Sequence, residues 1–180
     1  APGAIDAGIG PLEAAVRRVA PFVANVRVAV RAGQAADPLR RRFDLLLDPP
    51  GLAGPAAALV AAHGDDPEAA WLVVACDMPG LDADTLEALT GARDPGRGGT
   101  AFRTPGDARP EPLCAIWEPV TLARLAARAR DAADAPVSPR AVLAAADPVL
   151  LDPARPARLG SVNTPVDLAR YLEDPHGHKP

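Results

Sequence analysis

Aromatic residues are scarce in this 180-residue chain: three Phe, two Trp and one Tyr, 3% of the whole. The core must therefore be assembled mainly from Ala, Val and Leu. Cysteine is nearly as rare. Cys76 and Cys114 are too few for a disulfide framework. They lie in the apolar runs LVVAC and PLCAIW with no CxxC spacing, so a zinc site is unsupported and reduced, buried thiols are expected. Lysine occurs once, at Lys179, which leaves no interior lysine to hold a phosphate or form a Schiff base. The histidines make no metal set, since His63 closes a helix and His176 and His178 stand in the last residues. Neither Ser138 nor Ser161 has the GxSxG setting of a hydrolase nucleophile. No apolar run approaches the ~20 residues of a membrane span and no signal peptide opens the chain, so a cytoplasmic protein without membrane contact is expected. A net charge of −4, from 19 basic and 23 acidic residues, offers no attraction to nucleic acid.

What remains is ordinary globular composition, 48% apolar and 23% charged, long enough for one real core. PLEAAVRRVAPFV from Pro11 has a helical period, with Leu12, Ala15, Val16 and Val19 on one face. Strands are predicted at Asn25–Val30 and Phe43–Leu47, then a Pro-Pro-Gly loop and a small-residue helix at Gly54–His63. Trp71–Cys76 is a continuous apolar run, which predicts a strand covered on both faces. A helix over Asp82–Leu89 follows, with Asp82 or Asp84 as its cap, then strands near Thr100–Arg103 and Leu113–Trp117. Helices are predicted at Pro119–Arg130 and Pro139–Ala145, a strand at Val149–Leu151, and a last helix at Pro165–Leu172 capped by Thr164. Alternating strands and helices joined by short connections predict an α/β fold, a Rossmann-like three-layer sandwich with a mostly parallel central sheet. One domain is expected over 1–175, with 176–180 as a flexible tail.

In such sheets ligands bind beyond the carboxyl ends of the strands. Asp77, just after the most apolar strand, is placed to hold Mg²⁺ and through it nucleotide phosphates, although Asp before x-Pro-Gly is also a common turn former. Asp48 similarly ends a strand, before Gly51-Leu52-Ala53-Gly54, where glycines let backbone N–H groups approach a base or phosphate. Asn163 precedes a helix and could bond a ligand or order its own turn. Glu111 starts a strand, and Arg103, Arg109 and Arg140 stand in polar loops or at element ends as candidate phosphate contacts.

Four segments in this order carry a resemblance: Gly51–Gly54 before a small-residue helix, LVVACDMPGLD at Leu72–Asp82, EPLCAIW at Glu111–Trp117, and SVNTPVDLARY at Ser161–Tyr171. The chain resembles the molybdenum cofactor guanylyltransferase family, within the Rossmann-like nucleotidyltransferases. The resemblance implies an enzyme that moves GMP from GTP to molybdopterin with Mg²⁺ and releases pyrophosphate. It implies Asp77 as the metal-binding, catalytic aspartate. Asp48, Gly51, Leu52, Ala53 and Gly54, with Asp77, are implied on the nucleotide side, and Asn163 and Ser161 on the acceptor side. The Gly-Leu-Ala-Gly loop favours the guanylyl over the cytidylyl branch; a cytidylyl or sugar-phosphate transferase is the related alternative.

The family's opening glycine-rich signature and the lysine after it are not in this sequence. Ala1–Leu12 resembles the stretch that follows the signature, with Gly3 near the lysine position. A sheet without its first strand would expose unpaired backbone. The expectation is therefore a further strand from outside this stretch or from another chain. The alternative is a non-catalytic nucleotide- or cofactor-binding module that acts with a protein partner or as a homo-oligomer.

Overall fold

The computed structural model describes residues 9–104, 106–132, 136–162, 164, 166–167 and 171. Its helices are α1 (Pro11–Val19, prolonged by a 3-10 turn Ala20–Phe22), α2 (Pro55–Asp65), α3 (Ala83–Gly91), α4 (Pro119–Asp131) and α5 (Pro139–Ala144). The strands are β1 (Val28–Val30), β2 (Leu45–Leu47), β3 (Trp71–Val74), β4 (Gly99–Arg103), β5 (Pro110–Trp117) and β6 (Val149–Leu151). Proline begins α1, α2, α4 and α5, where its fixed φ suits the first turn and its missing N–H costs nothing. The remaining helix, α3, is capped instead by Asp82, whose carboxylate accepts the Thr85 N–H at 3.1 Å.

Four strands form one sheet in the order β3–β5–β4–β6. β5 runs antiparallel to both its neighbours and β4 pairs β6 in parallel, so β3, β4 and β6 share one direction. A second, two-stranded parallel ribbon is made by β1 and β2, with Val30 opposite Leu47. Side-chain alternation along β5 gives the large sheet two dry faces. Ala115 and Trp117 face Leu59 of α2, Leu122 and Leu125 of α4 and Leu143 of α5. Cys114 and Ile116 face Leu86 and Leu89 of α3 and Leu159, while Val19 and Phe22 pack against the rim of that cluster. Helices thus cover both faces, the expected three-layer α/β architecture.

Close packing at the far end of β4 explains two glycines that sequence alone leaves as loop residues. A Cβ on Gly98 would stand 2.1 Å from the Ala146 carbonyl oxygen, and one on Gly99 2.6 Å from that of Ile116. Beside them, the Arg97 guanidinium bonds both the Asp147 carbonyl (2.9 Å) and its side chain (2.7 Å).

Two expectations are corrected. Trp71–Val74 is only half-buried along its length, because β3 is an outer strand that pairs, among the described residues, with β5 alone. Cys76 is exposed rather than buried, since the strand ends at Val74 and Cys76 falls in the following turn. Of the last expected helix, only residues 166, 167 and 171 are described. At its start Thr164 and Asp167 cap each other, with Asp167 N–H donating to Thr164 Oγ1 (3.1 Å) and Thr164 N–H to Asp167 Oδ2 (2.9 Å).

Candidate functional site

Strand β3 hands the chain to a turn, Cys76–Gly80, that is held from several sides. The Val162 N–H donates to the Asp77 carbonyl at 2.8 Å, which brings the Ser161–Val162 segment against the turn. Tyr171 donates its hydroxyl to the Pro79 carbonyl (3.2 Å), and Arg158 Nη1 donates to that of Gly80 (3.1 Å). The approach at Gly80 is close, for a Cβ there would lie 3.2 Å from the Arg158 Cα. The two acids of this region have different fates. Asp82 is bonded by the Thr85 N–H and hydroxyl (3.1 and 2.6 Å) and lies 3.5 Å from Arg158 Nη1. Burial alone would raise its carboxyl, but the Thr85 hydrogen bonds and the Arg158 and Arg155 charges outweigh burial and hold it below the ordinary range. Asp77 Oδ1 is buried and has no hydrogen-bond partner. A buried carboxylate oxygen left unmatched is costly, and that cost marks a place where a ligand cation or donor would be stabilised.

A second unmatched carboxylate follows the ribbon. The Asp48 N–H donates to the Val30 carbonyl (2.9 Å), continuing the β1–β2 ladder by one residue, while its Oδ1 is buried without a partner. Burial pushes this carboxyl above its ordinary range, and the positive charge of Arg31 pulls it only part of the way back. Beyond it the chain turns through Gly51 (φ 80°) and Gly54 (φ 71°). These left-handed conformations strain any residue with a Cβ. No atom lies within 4 Å of where a Cβ would project at either glycine. Leu52 is half-buried, and Ala53 and Gly54 are exposed ahead of α2. The loop is thus open to solvent on the side where a ligand would approach.

Of the other candidates, Ser161 is exposed next to the Asp77 turn and Asn163 lies outside the described residues. The three arginines singled out from sequence are already engaged: Arg103 with Asp152 (3.1 Å), Arg109 with Asp107 (2.6 Å) and Arg140 with Glu111 (3.1 Å). Burial, helped by the Glu111 charge, pushes the Cys114 thiol up to about 12, which leaves it unreactive. No hydrogen bond or ion pair joins Asp48 to Asp77. A cavity of about 280 Å³ opens beyond the carboxyl ends of β4 and β6, lined by Asp82, Thr85, Phe102, Leu151, Asp152 and Arg155 but not by Asp77. Arg31, which sequence reading did not single out, follows β1 as Asp48 follows β2.

In a comparison of the sequence to family models, residues 7–149 match the MobA-like NTP transferase domain. The chain belongs to that family. Two solved structures share the fold. One, molybdopterin-guanine dinucleotide biosynthesis protein A from Archaeoglobus fulgidus, superposes with a TM-score of 0.73 at 20% identity over 95% of this chain and 88% of that one. The other, a putative protein from Aquifex aeolicus VF5, gives 0.66 at 13% identity over 84% and 77%. No curated protein matches the sequence. Family membership supports nucleotide-triphosphate binding and nucleotidyl transfer as the general chemistry. No described helix is long and apolar enough to cross a membrane.

A divalent cation fits the residues present in one particular way. Among the described residues no three His, Cys, Asp or Glu side chains gather as a protein cage. Mg²⁺ does not need one, because it commonly takes one or two carboxylates and completes its shell with substrate phosphates and water. The unmatched Oδ1 of Asp77 is a donor of that kind.

Proposed function

We propose that this chain acts as a molybdenum cofactor guanylyltransferase, moving GMP from GTP to the terminal phosphate of molybdopterin. The observation that carries the reading is the buried, unmatched Oδ1 of Asp77, in the turn that follows β3 of a MobA-like NTP transferase domain and tied by backbone to the Ser161–Val162 segment. In this reading a phosphate oxygen of molybdopterin forms a bond to the α-phosphorus of GTP, and the α–β bridging bond breaks to release pyrophosphate. Several negative charges meet in that step, so alignment and charge compensation dominate catalysis. Mg²⁺, when bound, supplies positive charge to the phosphates. Asp77 holds the cation, while Asp48 and the Gly51–Gly54 loop seat the nucleoside and keep it from turning. Ser161, exposed next to the Asp77 turn, meets the acceptor, and Asn163 is assigned to the same side by the family resemblance alone.

Calorimetric titration of GTP with and without Mg²⁺, followed by a pyrophosphate-release assay with molybdopterin, tests the proposal. Mg²⁺-dependent binding and stoichiometric pyrophosphate are expected. No binding at millimolar GTP would reject the transferase reading. Binding without turnover would assign the chain to the non-catalytic class.

A further inference from the structure

In the turn that carries Asp77, every backbone carbonyl from Asp77 to Gly80 accepts a hydrogen bond. The Leu81 N–H donates to that of Met78 (3.3 Å), a bond made within the turn itself. The other donors come from later in the chain: the Val162 N–H to Asp77 (2.8 Å), the Tyr171 hydroxyl to Pro79 (3.2 Å) and Arg158 Nη1 to Gly80 (3.1 Å). The Arg158 guanidinium also lies 3.5 Å from Asp82, the cap of α3, so it ties the end of the turn to the start of the helix. Beside it, Leu159 packs in one cluster with Met78 and Leu81.

Arg158 is only 3% exposed, and among the described residues Glu118 is the one other charged residue buried as deeply. Burying a guanidinium is costly, and an apolar side chain would fill the same space without that cost. What the guanidinium adds is direction, because its planar fork fixes a carbonyl and a carboxylate in one geometry. Asp77 is where such direction matters. No described residue donates to its buried Oδ1, so its aim is set by its backbone, and that backbone by the bonds to the turn's carbonyls.

We propose that Arg158 and Tyr171 are positioning residues for Asp77. By holding the Gly80 and Pro79 carbonyls they fix the turn, so that the Asp77 carboxylate meets a divalent cation already aligned. Neither touches nucleotide or cation. A ligating carboxylate held by such outer contacts binds its metal more tightly than one that must be ordered on binding.

This role rests on the proposed binding of Mg²⁺ by Asp77 and can fail separately from it. Calorimetric Kd values for GTP, with and without Mg²⁺, are measured on the natural chain, Arg158→Met, Arg158→Lys and Tyr171→Phe, with urea unfolding to check that each is folded. The quantity read is the factor by which Mg²⁺ tightens GTP. Arg158→Met is expected to cut that factor about tenfold or more while leaving the Mg²⁺-free affinity unchanged. Arg158→Lys, which keeps a donor for the Gly80 carbonyl, is expected to recover part of it, and Tyr171→Phe to lower it by a smaller factor. An unchanged factor in folded Arg158→Met, or equal losses with and without Mg²⁺, would make Arg158 an ordinary structural residue and overturn the proposal. If Arg158→Met does not fold, Tyr171→Phe decides, since it deletes a single hydroxyl: a lowered factor supports the positioning role and an unchanged one overturns it. If the natural chain binds GTP with no dependence on Mg²⁺, the proposed role of Asp77 falls and this one with it.

Discussion

The inner strands of the four-stranded sheet differ from its outer strand β3 and from the two-stranded ribbon in how far the acids at their ends are matched. In the sheet, β4 and β5 are paired on both edges and buried on both faces, and charged groups at their ends find partners. Glu118, only 3% exposed, is bound by the Arg93 fork at 2.7 and 2.9 Å. The ribbon has two strands of three residues, with Leu47 at 55% exposure, and no residue of α1 is buried. Asp48 at the ribbon's end and Asp77 after the outer strand β3 are the carboxylates that keep a buried unmatched oxygen. Among the described residues, the acids that keep a buried unmatched oxygen therefore sit where strand pairing stops. Binding surfaces are drawn from such regions, because a fully satisfied interior has nothing left to offer a ligand.

The largest effect should come from breaking the satisfied half. Trp117→Ala removes a fully buried ring that packs against Leu122 and Leu125 and donates to the Pro112 carbonyl at 3.0 Å. A loss of about 3–5 kcal/mol is expected in the unfolding free energy read from urea denaturation. Next is Arg93→Ala, which leaves Glu118 buried without its counter-charge. About 2–3 kcal/mol is expected by the same measurement, less than for a wholly buried pair because the Arg93 side chain is 40% exposed.

After the outer strand β3, the effect shifts from stability to binding. Asp77→Ala should abolish the Mg²⁺-dependent part of GTP affinity while moving the urea midpoint by less than about 1 kcal/mol, since no protein hydrogen bond is lost from Oδ1. Equal affinity with and without Mg²⁺ in both the natural chain and the variant would reduce Asp77 to a turn residue.

The smallest and sharpest contrast is in pH. The Asp82 carboxyl is held below its ordinary range in the folded protein, so its contribution is fully present above the unfolded pKa, about 3.9, and is lost as pH falls through the folded value. Asp82→Ala should cost about 1 kcal/mol at pH 7, as loss of a helix cap does, and progressively less in acid. The Asp48 carboxyl is raised, so its ionisation opposes folding above the folded pKa, and that opposition lifts as pH falls through the raised value toward about 3.9. Asp48→Asn should therefore be slightly stabilising at pH 7, with the gain shrinking in acid. Denaturant unfolding at pH 4 and 7 reads both signs. Shifts in the same direction would erase the distinction between the two halves.

Much of the fold was legible because its signals are local. Proline at helix starts, the Asp82 cap, the helical period of α4 and the short strand Val149–Leu151 act within a few residues, and each element stands close to where the sequence put it. Glycine spacing likewise marked the Gly51–Gly54 loop, where two positive φ angles are observed. The site was less legible. Arg103, Arg109 and Arg140 were reasonable phosphate contacts by position, but Arg103 and Arg140 found acids far along the chain, which no local pattern announces, and Arg109 found Asp107 in its own loop.

The sequence by itself determined where helices begin, which strands are apolar and which acids follow strands, because propensity, capping and side-chain alternation act over one or two turns of chain. Only the tertiary structure decided which charges are already matched and which are not. Strand order set β3 at an edge and Arg31 beside Asp48, and whether a buried carboxylate has a partner depends on residues that meet only when distant elements pack.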